Sequence, residues 1–189
     1  MRMLPGVISF LLFLLGDVND AFWQRRWLKP SFSLGFILLA ASTGWSIWAN
    51  FPESFGLLNI LFLAAAVFFA FLMIWALFFS FPSAPAYVET STEREAFTGG
   101  MYALCRHPGV VWFCFLYCCL IPGAGFPAVP ALLYCVMNVL LALMEDVWIF
   151  PRVFTNYREY KQRTPFLIPT PGSFRMWIGS IGKNTKERG

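Results

Sequence analysis

The chain has 189 residues, of which 58% are hydrophobic and 13% charged, with 22 phenylalanines, against the ~25% charge of an ordinary soluble domain. That balance excludes a soluble globular domain and predicts an all-α integral membrane protein, because lipid offers no partner to charge or to free backbone groups. The net charge of +4 is modest, so no nucleic-acid partner is expected and the placement of the charge carries more information than its size.

In chain order, the first apolar run extends from Met3 to Leu15, followed by Asp17, Asn19 and Asp20. It lacks a small-x-small cleavage signal, so it reads as a first span that continues past Leu15. Phe32 to Ala49 forms a second span, with Trp45 and Trp48 as interface anchors near its end. Gly56 to Phe81 forms a third, long enough to cross with tilt. Pro82 and Pro85 stop it, and Thr90 to Glu95 carries the signature of a helix start, which predicts a short helix on the membrane surface. The fourth run, Gly109 to Ile121, covers only about 20 Å of a ~30 Å hydrocarbon core. With Gly123, Gly125, Pro127 and Pro130 close behind, the expectation is a turn over 122–130 and a stubby hairpin, whose second arm, the fifth span, closes at Met144. The organisation is therefore about five spans. Residues 1–97 hold spans one to three and a surface linker, 98–170 a core unit, and 171–189 a basic, loosely ordered tail that touches anionic headgroups.

Lysine and arginine orient the bundle. Arg25, Arg26 and Lys29 separate spans one and two, Arg94 and Arg106 separate three and four, and the remainder follow the fifth span. Only Arg2 lies on the other side, so the C-terminus and these loops are expected in the cytosol. The five cysteines show no CxxC spacing and four lie in apolar runs, which suits packing residues better than metal ligands. Cys105 stands apart, beside the Arg-His pair.

The only histidine, His107, lies between Arg106 and Pro108 at the start of span four. Pro108 suits the first helical position, and a helix N-terminus flanked by arginine and histidine suits an anion. Glu145 and Asp146 end span five, which a hairpin would bring alongside. Opposite charges side by side fit two accounts: a site for a zwitterionic, amino-acid-like ligand, or a single Arg106–Glu145 ion pair that locks the hairpin. Tyr157 and Tyr160 share a helix face in the segment that ends at Pro165 and Pro169. This segment reads either as an interfacial helix or as a lid folded back over the charged elements.

Gly100-x-Tyr102-x-x-x-Arg106-His107-Pro108, then Glu145-Asp146, then Tyr157-x-x-Tyr160-x-x-x-x-Pro165 together resemble the isoprenylcysteine carboxyl methyltransferase and phospholipid methyltransferase superfamily. The resemblance covers residues 98–170. It implies S-adenosyl-L-methionine as cofactor, bound on the cytosolic side, and a lipophilic small-molecule or lipid acceptor arriving from the bilayer. Carried over residue by residue, it implies a cofactor site at Tyr102, Leu104, Arg106, His107, Pro108, Glu145, Asp146, Tyr157 and Tyr160, with Arg106, His107 and Glu145 catalytic. The chain departs from the family where Val110 and Trp112 replace tyrosine and glycine, where the second acid is Asp146 and not glutamate, and where Val153-Phe154 replaces Phe-Gly. Trp112 is expected to narrow an entrance between spans. The Arg-His-Pro pattern also occurs in NADPH-dependent sterol reductases, and a non-catalytic scaffold could keep the same hairpin.

Overall fold

Long apolar helices dominate the computed structural model, which describes residues 3–79 and 94–186. No strand occurs among them. Helix α1 (Leu4–Val18) leads through a π-helical turn (Asn19–Trp23) into a short 3₁₀ turn, and α2 (Ser31–Asn50) returns across the bundle. Helix α3 (Leu57–Ile74) ends in a π turn at Trp75–Phe79. Helices α4 (Pro108–Ala124) and α5 (Ala128–Met144) form an antiparallel hairpin, and a third π turn, Glu145–Ile149, extends α5. Three short elements follow: α6 (Phe150–Val153), α7 (Tyr157–Arg163) and α8 (Pro171–Lys186).

Four of these segments are long and apolar enough to cross a membrane: Leu4–Trp23, Arg26–Asn50, Leu57–Leu77 and Ala128–Val153. The neighbours run α2, α1, α5, α4, α3. Half of the residues of helix α3 are exposed and Ala66 is its only buried one; a uniformly apolar helix in that position meets lipid, not water. The shorter α4 is the inner helix, burying Val110, Phe113, Tyr117 and Leu120. Between these helices the core is aromatic, with Phe10, Phe113, Tyr117, Phe126 and Tyr134 in edge-to-face and tilted contact. Tyr117 shares a 2.6 Å hydrogen bond with Thr43 of α2, so the phenol that the core encloses is satisfied by a neighbouring helix.

Three expectations are corrected. Helix α4 does not stop at Ile121 but runs through Pro122 to Ala124, its 17 residues spanning about 25 Å, and the turn narrows to 125–127. The Pro122 carbonyl, in the last turn of the helix where no intrahelical donor reaches, takes a 2.9 Å hydrogen bond from Asn59 Nδ2 of α3. Gly125, at φ 70°, ends the helix in the left-handed conformation that glycine accepts without strain. The tail is the second correction: 171–186 is helical, and α8 packs against the 3₁₀ turn Gly100–Ala103. The surface helix starting at Thr90 falls mainly outside the described residues; its described part, 94–98, is not helical. There Ala96 N and O pair with the Asn156 side chain, and Arg94 O accepts from Thr155 N.

Close approach of α3 and α4 depends on Gly123, where an added Cβ would lie 2.9 Å from the Leu63 backbone nitrogen. Backbone cannot move aside as a side chain can, so Gly123→Ala is expected to cost about 1–3 kcal/mol. Gly44, with nothing near its Cβ position, is the control: Gly44→Ala should leave stability unchanged or raise it by up to ~1 kcal/mol. Thermal unfolding in detergent, compared for the two variants, measures the difference.

Candidate functional site

The α4–α5 hairpin carries its two ends to one side of the bundle, and the C-terminal segment folds over them. Arg106 and His107 donate their backbone N–H groups to the carbonyls of Pro165 and Phe166, at 2.9 and 3.3 Å. This is the folded-back arrangement, not a free interfacial helix. Pro108 occupies the first turn of α4 as expected and is fully buried.

Asp146 is the centre of the cluster. Its carboxylate, 3% exposed, receives Arg106 Nε at 2.6 Å and an Arg106 terminal nitrogen at 3.1 Å. Tyr157 Oη adds a 2.7 Å hydrogen bond and Lys161 Nζ a 2.9 Å ion pair. The other Arg106 terminal nitrogen donates to the backbone oxygens of Lys161 and Thr164. Four of the guanidinium's five N–H groups are thus engaged inside the protein. The Arg106–Glu145 pair expected from the spacing is not what forms: Arg106 takes Asp146, and Glu145 faces His107 instead, with Oε2 3.4 Å from Nδ1.

His107 is sandwiched by aromatics, parallel to Phe150 at 5.7 Å and edge-on to Phe166 at 5.1 Å. Its Nε2 lies 3.7 Å from Asp146 Oδ1 and has no hydrogen-bond partner. Burial disfavours the imidazolium, but Asp146 and Glu145 outweigh it, and the His107 pKa is raised above its ordinary value. Burial lifts the Tyr157 and Tyr160 hydroxyls, with Asp146 adding to both, so both phenols stay protonated as donors. Tyr160 Oη donates to the Tyr102 carbonyl at 2.6 Å, and Tyr102 Oη to Ala76 O at 3.1 Å. Burial also pushes the Cys105 thiol up to about 11, against the opposing pull of a His107 backbone hydrogen bond and Arg106. At neutral pH it is a thiol, and not an activated nucleophile.

Of the nine residues expected at the site, seven converge at this cluster or its immediate wall: Arg106, His107, Pro108, Glu145, Asp146, Tyr157 and Tyr160. Tyr102 joins through its carbonyl. Leu104 sits half-buried in the preceding turn and makes no polar side-chain contact by its chemistry. Trp112 stacks on Phe69 of α3 at 6.1 Å, with its Nε1 buried and unpartnered, so the indole packs between helices. A shallow apolar cleft lined by Leu15, Trp23, Arg25, Trp27 and Leu28 opens near the end of α1.

Three participants were not named as site residues from the sequence. Lys161 and the Thr164 carbonyl come from the folded-back segment, and a backbone acceptor leaves no residue signature. The third is Asp17, near the end of α1, whose carboxyl faces that of Glu145. A signal for it existed, since an acid at the end of an apolar span is a functional candidate on cost alone. Compared with protein-family models, curated proteins and solved structures, the chain matches none.

Two expectations follow from this geometry. Asp146→Asn strips a buried, multiply bonded carboxylate and leaves Arg106 uncompensated, at a cost of about 3–5 kcal/mol. Lys161→Ala removes a partner that is one-third exposed (34%), at less than about 1 kcal/mol. Limited proteolysis of the segment after Tyr157 should report the first and not the second. The raised His107 pKa gives a second, pH-dependent test. A group protonated more readily in the fold than in the unfolded chain contributes fully below its unfolded pKa of ~6.5. That contribution is lost as pH rises through the folded value. Thermal stability should therefore decline with rising pH above neutrality, and the decline should flatten in His107→Gln.

Proposed function

We propose that this protein is an S-adenosylmethionine-dependent methyltransferase that acts on a lipophilic acceptor at the cytosolic face of a membrane. One observation carries the reading. The three blocks on which the family resemblance rests, Arg106-His107-Pro108, Glu145-Asp146 and Tyr157-x-x-Tyr160, are far apart in sequence and form one buried hydrogen-bonded cluster. The cytosolic placement follows from the lysine and arginine distribution.

The residues present fit such a cofactor. Buried polar atoms are normally satisfied, yet His107 Nε2 and Asp17 Oδ2 have no hydrogen-bond partner among the described residues. Arg106 and Lys161 are committed to Asp146, so Asp17 and Glu145 form an acidic surplus suited to the cofactor's positive groups. His107 and the one remaining Arg106 N–H would take its carboxylate, and Tyr102, Tyr157 or Tyr160 a face of the adenine. The bound sulfonium would supply an electrophilic methyl group. The protein's part is to hold donor and acceptor in line, which by itself accounts for much of the acceleration in such a displacement. Helices facing lipid on every side let an acceptor with an apolar body approach without crossing water.

A second reading draws on Asp146. Its carboxylate is satisfied by protein groups alone, as in a scaffold that keeps the hairpin without turnover. Calorimetry with S-adenosylhomocysteine on the detergent-solubilised protein separates the two. The methyltransferase reading expects saturable binding, weakened about ten- to hundredfold by Glu145→Gln, the ~1.5–3 kcal/mol of a lost charge-assisted hydrogen bond. A folded wild-type protein with no binding would leave the scaffold.

A further inference from the structure

The connection from α1 to α2, residues 19–30, carries Arg25, Arg26 and Lys29 against a single acid, Asp20. Phe22, Trp23 and Trp27 are exposed on it, Trp27 to 75%. It lies on the side of the bundle that holds the Asp146 cluster, because Phe22 meets Trp148, in the π turn that follows α5, at 4.8 Å. Arg152 of α6 lies 5.7 Å from both of those rings and adds a further cation to the layer. Among the described residues, none of Arg25, Arg26, Lys29 and Arg152 forms an ion pair.

The connection is held in one shape by its own polar groups. Asn19, fully buried, accepts the Arg25 N–H at 2.8 Å on its side-chain oxygen and donates its amide to the Arg25 carbonyl at 3.2 Å. The Gln24 N–H returns to the Asn19 carbonyl at 2.6 Å, with Gln24 at φ 51°. A residue with a Cβ adopts that left-handed region only at a cost, and strain of this kind collects at functional sites. The shape fixes the position of Arg25. Its backbone is taken up by Asn19, and its side chain lines an apolar cleft of about 390 Å³ together with Leu15, Trp23, Trp27 and Leu28.

An arginine on the rim of an apolar hollow complements a molecule with an anionic head and an apolar tail. Its stem lies along apolar surface while its charge reaches the headgroups, and the guanidinium offers a phosphate two parallel N–H donors. The cleft has the ~300–1,000 Å³ of small-ligand sites. Two indoles alone would also suit a quaternary ammonium, but Arg25, Arg26 and Lys29 oppose a cation there. We propose that this cleft binds one anionic phospholipid of the surrounding leaflet, with its phosphate on Arg25 and one acyl chain against Leu15, Trp23, Trp27 and Leu28. Arg26 and Lys29 select against the ammonium of zwitterionic headgroups. The site is separate from the methyltransferase reading, and its test uses no cofactor.

Native mass spectrometry of the detergent-solubilised protein, titrated with dioleoylphosphatidylglycerol or dioleoylphosphatidylcholine, counts the lipids bound. Wild type should take up one phosphatidylglycerol at least about fivefold more tightly than phosphatidylcholine. Arg25→Gln removes one cation and keeps the main-chain bonds to Asn19, so it should weaken phosphatidylglycerol binding by about fivefold. Trp27→Ala keeps every charge and opens the cleft, and should weaken the same binding. Arg158→Gln, at an exposed arginine of α7, should leave it unchanged. Equal uptake of the two lipids by wild type overturns the proposal. So does an Arg158→Gln loss as large as that of Arg25→Gln, which would make the attraction one of diffuse surface charge. Undiminished phosphatidylglycerol binding in Trp27→Ala overturns it as well, because the cleft would then hold no chain.

Discussion

The carboxylate of Asp146 is the contact on which the lower half of the molecule depends. A buried charge of this kind is tolerable only when its partners are also held in place, and its partners come from two separate stretches of chain: Arg106 before α4, and Tyr157 and Lys161 in α7. Arg106 extends the contact, since its other terminal nitrogen donates to the Lys161 and Thr164 carbonyls. One side chain therefore ties the start of α4 to the end of α5 and to the segment folded over both. The backbone pairs from Arg106 and His107 to Pro165 and Phe166 close what that carboxylate aligns.

Above the cluster the bundle is organised by close helix approach and not by charge. Gly123 brings α4 against α3, and aromatic residues fill the space among α1, α4 and α5. Inside a membrane the helices gain little from burying apolar surface against one another, so small residues and interhelical hydrogen bonds such as Thr43–Tyr117 contribute a larger share. The inner position of α4 also explains its length. A helix packed on several sides by other helices does not have to match the bilayer, whereas the lipid-facing α3 does.

The two acids at the end of α5 divide the work. Asp146 is spent on structure, and Glu145, turned toward His107 and Asp17, is the one left for chemistry. The same division separates Arg106, with one N–H in reserve, from His107, with a whole ring nitrogen unused. In the proposed function, a zwitterionic ligand would be engaged by the groups that the structural ion pair does not consume.

Composition and apolar run length alone were enough to determine an all-α membrane bundle, because lipid admits few other ways to satisfy a backbone. The convergence of Arg106 and His107 with Glu145 and Asp146 was legible too, since a hairpin must return to the side it left. The folding back of Tyr157 and Tyr160 was one of two readings the sequence left open. Tertiary structure decided which acid pairs with Arg106. Neighbouring residues on a helix point about 100° apart, so the choice between Glu145 and Asp146 turns on the rotation of α5 about its axis, which packing against α1 and α4 sets. The same held for the end of α4, where the Pro122 carbonyl finds its donor in Asn59 of another helix, and for Asp17, more than a hundred residues from its partner in sequence. Local patterns report what a segment must do with its own backbone, and contacts between distant segments exist only once the helices have been rotated and brought together.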